Sequence, residues 1–370
     1  MTEFRFGGPI FIGGCPRSGT TMLGAMLANA SGCVTTPESH FKHQLIAQCA
    51  VQSLTREQFL DFLANSNEIA FWELPFWLEH YPREITLDNL STVLNQIVYR
   101  YYRSRVDQTE DTGQRLRRWV DHTPMNIEGF RSLLDLYPQA QLIHLVRDPR
   151  AIAASVFALP WGPNDPVALA GWWLHYVNAG LRLQYEFPDR ILQIRYEDLL
   201  QDSKPTLTKV CQFLGLQFSP RLLSAQRYSP PQYSKSQHAL VGKPPAAERA
   251  TAWQEKLSAR DQAYIELACG VLMRQLGYDS AVPAIRKPLG STVMWYLGII
   301  WRRAQGSLRR KALRRERSKL AKLIRSQQPF FAGVDAGGGN DSNSGCADGC
   351  GGSSEDMPYS THKSTPPKKC

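Results

Sequence analysis

The residues whose types and spacing carry the most chemistry stand near the start of the chain: Gly14-Cys15-Pro16-Arg17-Ser18-Gly19-Thr20-Thr21. They follow an apolar run at residues 9–13 (PIFIG) and open a stretch of helical composition at residues 19–30. A strand, a glycine-rich turn and a helix start, in that order, aim backbone N–H groups and the positive end of the helix dipole at an anion. Gly14 and Gly19 fall on the two glycine positions of a GxxxxG phosphate loop. The next position, Lys in a nucleoside triphosphatase, is Thr20 here. The cation has moved inside the loop, to Arg17. A triphosphate calls for a Lys and Mg²⁺ to offset its charge. A forked guanidinium with two hydroxyls, those of Thr20 and Thr21, suits a phosphate bearing a less charged group.

Three further strings contain groups that could act on such an anion or its partner. Leu145-Val146-Arg147-Asp148-Pro149-Arg150 closes a second apolar run, residues 141–146, and Ser155 follows within a helical stretch at residues 149–157. Pro37-Glu38-Ser39-His40-Phe41 places Glu38 21 residues after Arg17. Asp121-His122-Thr123-Pro124-Met125 is the third.

Together these strings resemble the PAPS-dependent sulfotransferases over residues 8–279, and within them the branch of protein-tyrosine sulfotransferases and their bacterial relatives. The resemblance implies that Pro16, Arg17, Ser18, Gly19, Thr20 and Thr21 hold the 5′-phosphosulfate of the donor. It implies that Arg147 forks onto the 3′-phosphate, with Ser155 donating from the first turns of its helix. Tyr196, in Arg195-Tyr196-Glu197-Asp198-Leu199, supports the sheet and the nucleotide. Lys243 and Arg249, on a later segment with His238, Glu248 and Trp253, would close over the phosphates.

Glu38 stands at the spacing of the branch's catalytic Glu and would take the acceptor proton. The competing role is a helix-start charge, since Pro-Glu-Ser suits the beginning of a helix. His40 and His43 compete for the base. His122 departs from the branch, which has a Lys there. It can stabilise charge by hydrogen bonding, be held cationic by Asp121, act as base, or merely pack. The expected reaction moves a sulfonyl group from PAPS to a tyrosyl, phenolic, glycan or small-molecule hydroxyl, with release of PAP and no metal. The alternatives are a P-loop small-molecule kinase, disfavoured by Thr20, and a non-catalytic nucleotide-binding scaffold recruited to membranes. The aromatic clusters 71–77, Trp161 and Trp172-Trp173 are acceptor-pocket or core candidates.

Positioning these groups requires a sheet. Apolar runs at 9–13, 141–146 and 190–194 alternate with helical stretches at 57–63, 87–103, 127–137, 167–186 and 203–214. That alternation predicts an α/β, P-loop-type three-layer fold, a central parallel sheet flanked by helices. A helix at 259–276 closes a domain spanning residues 1–280. A basic, partly aromatic helical extension follows at 281–326, and a Gly/Ser-rich tail, expected to be disordered, at 327–370.

With 370 residues and 21% charged side chains, the chain is of globular composition. Its net charge of +10 is local: residues 285–325 hold 13 Lys/Arg and one Glu, leaving −2 elsewhere. That removes the case for nucleic acid as a partner of the main domain. For the extension it leaves three readings: nucleic-acid binding, for which the sequence shows no recognisable fold; peripheral membrane contact through residues 294–325, with Met294–Trp301 (MWYLGIIW) at the headgroup boundary and residues 302–325 on anionic lipid; or a solvated helix with no partner. No secretory signal or spanning run is read, and the eight cysteines form no CxxC pair, so a cytoplasmic location with reduced thiols is expected.

Overall fold

Strands β1 (Ile10–Gly13), β2 (Cys33–Thr35), β5 (Arg118–Asp121), β6 (Gln141–Val146) and β7 (Ile191–Arg195) form one five-stranded sheet in the order β2-β5-β1-β6-β7, every pair parallel. The computed structural model describes residues 7–74, 81–105, 117–224, 228, 247–279 and 289–326. Between the strands run α1 (Thr20–Leu27), α2 (Phe41–Val51), α3 (Arg56–Asn65), α4 (Asn67–Phe71), α5 (Leu87–Arg105), α6 (Asn126–Leu136), α7 (Pro149–Val156) and α8 (Pro166–Glu186). After β7 come α9 (Tyr196–Gln201), α10 (Ser203–Leu214), a 3-10 turn (Pro220–Leu223), a second (Ala247–Ala250), α11 (Trp253–Lys256), α12 (Ala259–Gln275) and α13 (Leu289–Ser326). A two-stranded antiparallel pair, β3 (Leu54–Thr55) with β4 (Glu84–Ile85), sits outside the main sheet.

Period-two alternation along the strands splits the core into two layers. Ile10, Ile12, Val120, Ile143 and Leu145 pack with α1, α9 and α10. Phe11, Trp119, Leu142 and Val146 face α5, α6 and α8. Both faces are covered, which is why β1 and β6 read as continuous apolar runs. The expected α/β, three-layer architecture with a central parallel sheet is the observed one.

The central strand β1 has β6 on one side and β5 on the other. The chain first crosses one way, to β2, and later the other way, to β6 and β7. Loops leaving the carboxyl ends of β1 and β6 therefore diverge and open a crevice, the usual ligand position in such sheets. The turn after β1 is tight: a Cβ on Gly14, whose φ is +152°, would stand 2.2 Å from the Leu145 carbonyl oxygen on β6.

Asp-Pro pairs start two helices with both N-cap and N1 chemistry. Asp148 caps α7 by accepting from the Arg150 N–H, and Asp165 caps α8 by accepting from those of Val167 and Ala168. The short strands β2, β3, β4 and β5 were not among the expected strands. At two to four residues they show no period against their surroundings.

Candidate functional site

The loop after β1 and the loop after β6 bring Arg17, Arg147 and Ser155 together. Arg17 Nε donates to Ser155 Oγ at 3.0 Å, and Arg147 Nη1 donates to the Arg17 carbonyl at 2.7 Å. Arg17 holds φ +74°, a left-handed conformation that non-glycine residues rarely adopt. Burial, then the neighbouring Arg147 charge, lower its pKa below the ordinary value. Two guanidiniums this close favour a bound anion.

Two buried polar atoms in the same place have no protein partner, Ser18 Oγ and Arg147 Nε. Gly19 opens α1 in the left-handed region without a side-chain cap, so the first N–H groups of α1 add to this cradle. Thr20 and Thr21 are buried in that first turn, and Pro16 is half-buried in the loop.

Tyr196 shapes the floor. The Arg147 guanidinium lies 4.3 Å from its ring centroid, and a Cβ on Gly19 would meet the ring at 2.4 Å. Trp173 fixes the next backbone position by donating to the Arg147 carbonyl at 2.9 Å. Below it, buried Arg150 joins Asp148 to Glu266 and stacks 4.0 Å from the Trp253 ring centroid. Glu197 accepts from the Asp148 N–H and the Tyr278 hydroxyl. Arg150 is thus a structural centre that holds the start of α7, not a ligand group. Ser155 lies in the last turn of α7 rather than its first, and it faces Arg17 from there. Arg249 lies half-buried on the 3-10 turn Ala247–Ala250, which packs on α9. Lys243 and His238 lie outside the described residues.

On the other side of β1, Glu38 precedes α2. Its Oε2 meets His40 Nε2 at 3.1 Å, and its Oε1 lies 3.9 Å from His122 Nδ1. Its backbone carbonyl accepts from Trp72 Nε1. Ser39 then clamps the segment to the end of β5: its N–H donates to Thr123 Oγ1, and its hydroxyl donates to Asp121. Asp121 also pairs with fully buried Lys42 at 3.0 Å. Burial alone would raise the Asp121 pKa, but Lys42, Ser39 and Thr123 outweigh it and hold the carboxyl well below the usual range. Glu38 is not a helix cap: the residue before α2 is His40, with no side-chain cap bond.

Burial lowers the His122 pKa despite Glu38 and Asp121. Asp121 is spent on Lys42, Ser39 and Thr123, so a cationic His122 held by Asp121 does not form. Instead His122 Nε2 meets the Tyr228 hydroxyl at 3.0 Å. Neutral His122 therefore stands between Tyr228 and Glu38. His43 turns away: a Cβ on Gly129 of α6 would lie 2.5 Å from its ring.

Lys42 and Tyr228 were both missed from sequence. A lysine in the first turn of a helix carries no burial signal, and Tyr228 reaches His122 from 106 residues away. The aromatic candidates are mainly core. Trp72 packs 5.4 Å from Phe41 and 5.3 Å from Tyr101, and Trp173 is fully buried. Trp161 and Trp172 are partly buried against the core, and residues 75–77 lie outside the described residues.

Comparison with known proteins agrees with this reading at the level of family. A Caenorhabditis briggsae protein named after the protein-tyrosine sulfotransferases is 22% identical over 221 residues, 58% of this chain and 68% of that protein. Sulfotransferase 2A1 of Rattus norvegicus is 31% identical over 119 residues, which are 27% of this chain and 39% of the rat protein. Among solved structures, the sulfotransferase domain from the Synechococcus PCC 7002 olefin synthase aligns with a TM-score of 0.49 at 23% identity, over 75% of this chain and 98% of that one. Mouse sulfotransferase SULT7A1 complexed with PAP aligns with a TM-score of 0.36 at 15% identity, over 73% and 85%. The model of the Sulfotransferase family matches residues 9–220, more than half of the chain, and the chain belongs to that family.

Proposed function

We propose that the chain transfers a sulfonyl group from PAPS to an acceptor hydroxyl, in line and without a metal, and that residues 1–280 form the catalytic domain. The observation that carries the reading is the meeting of Arg17, Arg147 and Ser155, with unpartnered Ser18 Oγ and Arg147 Nε, at the crevice between β1 and β6. That donor set fits a nucleotide with a phosphate at each end. Arg17, Ser18, Thr20, Thr21 and the first N–H groups of α1 hold the 5′ side, while Arg147 holds the 3′-phosphate with Ser155 beside it. The donor supplies an activated sulfonyl group on a phosphate leaving group.

This chain's own residues supply orientation and proton handling. Arg17 neutralises the negative charge that builds on the 5′ phosphate side. Glu38 takes the acceptor's proton, and Ser39, Thr123 and Asp121 hold it in place. Neutral His122, fixed by Tyr228, offers a hydrogen bond and no charge at the same place. The acceptor is a hydroxyl of tyrosyl, phenolic, glycan or small-molecule class.

Calorimetry with PAP in the absence of Mg²⁺, alongside ATP with and without Mg²⁺, tests the donor assignment. Tight PAP and weak ATP binding is expected; preference for Mg·ATP would make the chain a small-molecule kinase. Turnover is read with labelled PAPS against peptides, phenols, glycans and lipids. The Glu38→Gln variant should keep PAP affinity and lose at least about a hundredfold in kcat, the usual scale for a general base. Equal turnover in that variant removes Glu38 from the chemistry.

A further inference from the structure

Helix α13 does not project from the domain. One face is seated along it. Arg302 pairs with Asp261 at the start of α12 at 3.0 Å, and Arg303 pairs with Asp165 at the start of α8 at 2.8 Å. Asn164 donates to the Arg302 carbonyl, and a Cβ on Gly306 would stand 2.5 Å from the Asn164 side-chain nitrogen. Fifteen residues beyond Gly306, Ala321 is buried against Ala70 and Phe71 of α4, and further along Arg325 donates to Asn67. Within the basic segment, Arg302, Arg303 and Arg325 spend their charge on the domain and hold the helix.

The opposite face has no cover among the described residues. Met294, Leu297, Trp301 and Leu308 recur at helical spacing along one line and are 52–69% exposed. Tyr296 and Ile300, also exposed, widen the line into an apolar arc. The same line continues as Lys311, Arg315, Lys319 and Lys322, all exposed. One rigid face thus runs from large apolar groups to cations. No helix among the described residues is long and apolar enough to cross a membrane.

We infer that this outward face of α13 docks on an anionic lipid surface. Met294, Leu297 and Trp301 enter the headgroup boundary, and Lys311, Arg315, Lys319 and Lys322 meet lipid phosphates. Charge complementarity selects this occupant. A nucleic acid would meet the cations but leave the apolar arc in water, and a second copy would set like charges against each other. The inference is independent of the transfer reaction. It also has a spatial consequence: α4, on which α13 rests, leads directly into Trp72, which bonds the Glu38 carbonyl.

The test is co-sedimentation of the full chain with vesicles of phosphatidylcholine alone or with about a third phosphatidylglycerol. Binding is expected only to the anionic vesicles and should weaken several-fold between low and high salt. The variants Leu297→Glu/Trp301→Glu and Lys311→Glu/Arg315→Glu should each weaken it about tenfold or more, with melting temperature and PAP affinity unchanged. The inference is overturned if wild type does not sediment with anionic vesicles, or if both variants sediment like wild type. It is also overturned if the face instead holds duplex DNA, or forms a dimer that Leu297→Glu/Trp301→Glu dissociates, with no vesicle binding.

Discussion

Replacing Arg147 by Gln should separate the free protein from the bound one. In the free protein Arg147 makes one bond to the Arg17 carbonyl and stacks on Tyr196, but it also faces the Arg17 charge across a short, buried distance. Losing a bond from a charged donor costs about 1.5–3 kcal/mol. Relief of the like-charge contact offsets part of that, so the free variant should melt only a few degrees lower. In the bound protein the phosphate loses a buried charged partner. Truncating such a contact costs about 2–5 kcal/mol, or about 30- to 5,000-fold in affinity. At a PAP concentration a thousand times the wild-type Kd, binding adds about 4.1 kcal/mol of stability. With affinity a hundredfold weaker, the same concentration adds about 1.4 kcal/mol. The missing stabilisation corresponds to roughly 4–5 °C of PAP-induced melting shift in a domain of this size. Scanning fluorimetry with and without PAP reads both effects, and calorimetry gives the Kd. A free variant that melts far lower, yet binds PAP with wild-type affinity, would make Arg147 a structural cation and refute the reasoning.

Three other outcomes follow from buried charges. Lys42→Ala leaves Asp121 buried without its cation, so urea unfolding should lose about 3–5 kcal/mol, and Lys42→Met with Asp121→Asn should regain most of it. Burial disfavours a charged His40, but its bond and charge contact with Glu38, and Glu68 nearby, outweigh this and raise its pKa to about 9. His40 is therefore a cation at the carboxylate through neutral pH. His40→Asn should move the acid limb of kcat/KM to higher pH, and an unmoved limb separates His40 from the reacting carboxylate. Burial pushes His144 on β6 down to about 4. It is neutral when folded, whereas the unfolded chain protonates it from about pH 6.5 downward. Its contribution to stability is therefore lost as pH falls from about 6.5 to about 4, adding about one proton to the slope. His43 and His122 shift in the same direction, so His144→Asn should flatten the urea-unfolding profile by one proton's slope and no more.

Much of the fold was legible because its signals are local. The runs that became β1 and β6 are buried and largely apolar, the run that became β7 keeps Ile191 and Ile194 buried, and the Asp-Pro starts of α7 and α8 carry their own caps. The strands β2 and β5 escaped notice because their short runs are not continuously apolar: β5 begins on Arg118, whose guanidinium is spent on the carbonyls of Gly8 and Leu214, and ends on Asp121. Which basic residues of the extension face the domain was illegible for a related reason. Composition reads charge but not direction, and Arg302 and Arg303 spend theirs on Asp261 and Asp165.

By itself the chain's order of residues determined the strand, glycine-rich turn and helix start after β1, since glycines at both ends, an internal Arg and a following helix need only one another. It also settled the parallel α/β plan, through apolar runs alternating with helical ones. Only the tertiary structure decided which distant groups share a volume. Arg147 and Ser155 reach Arg17 across 130 and 138 residues because β1 and β6 are adjacent. Tyr228 meets His122, and Lys42 pairs with the Asp121 beside it. Such contacts are made by packing, which brings together side chains whose separation along the chain carries no record of it.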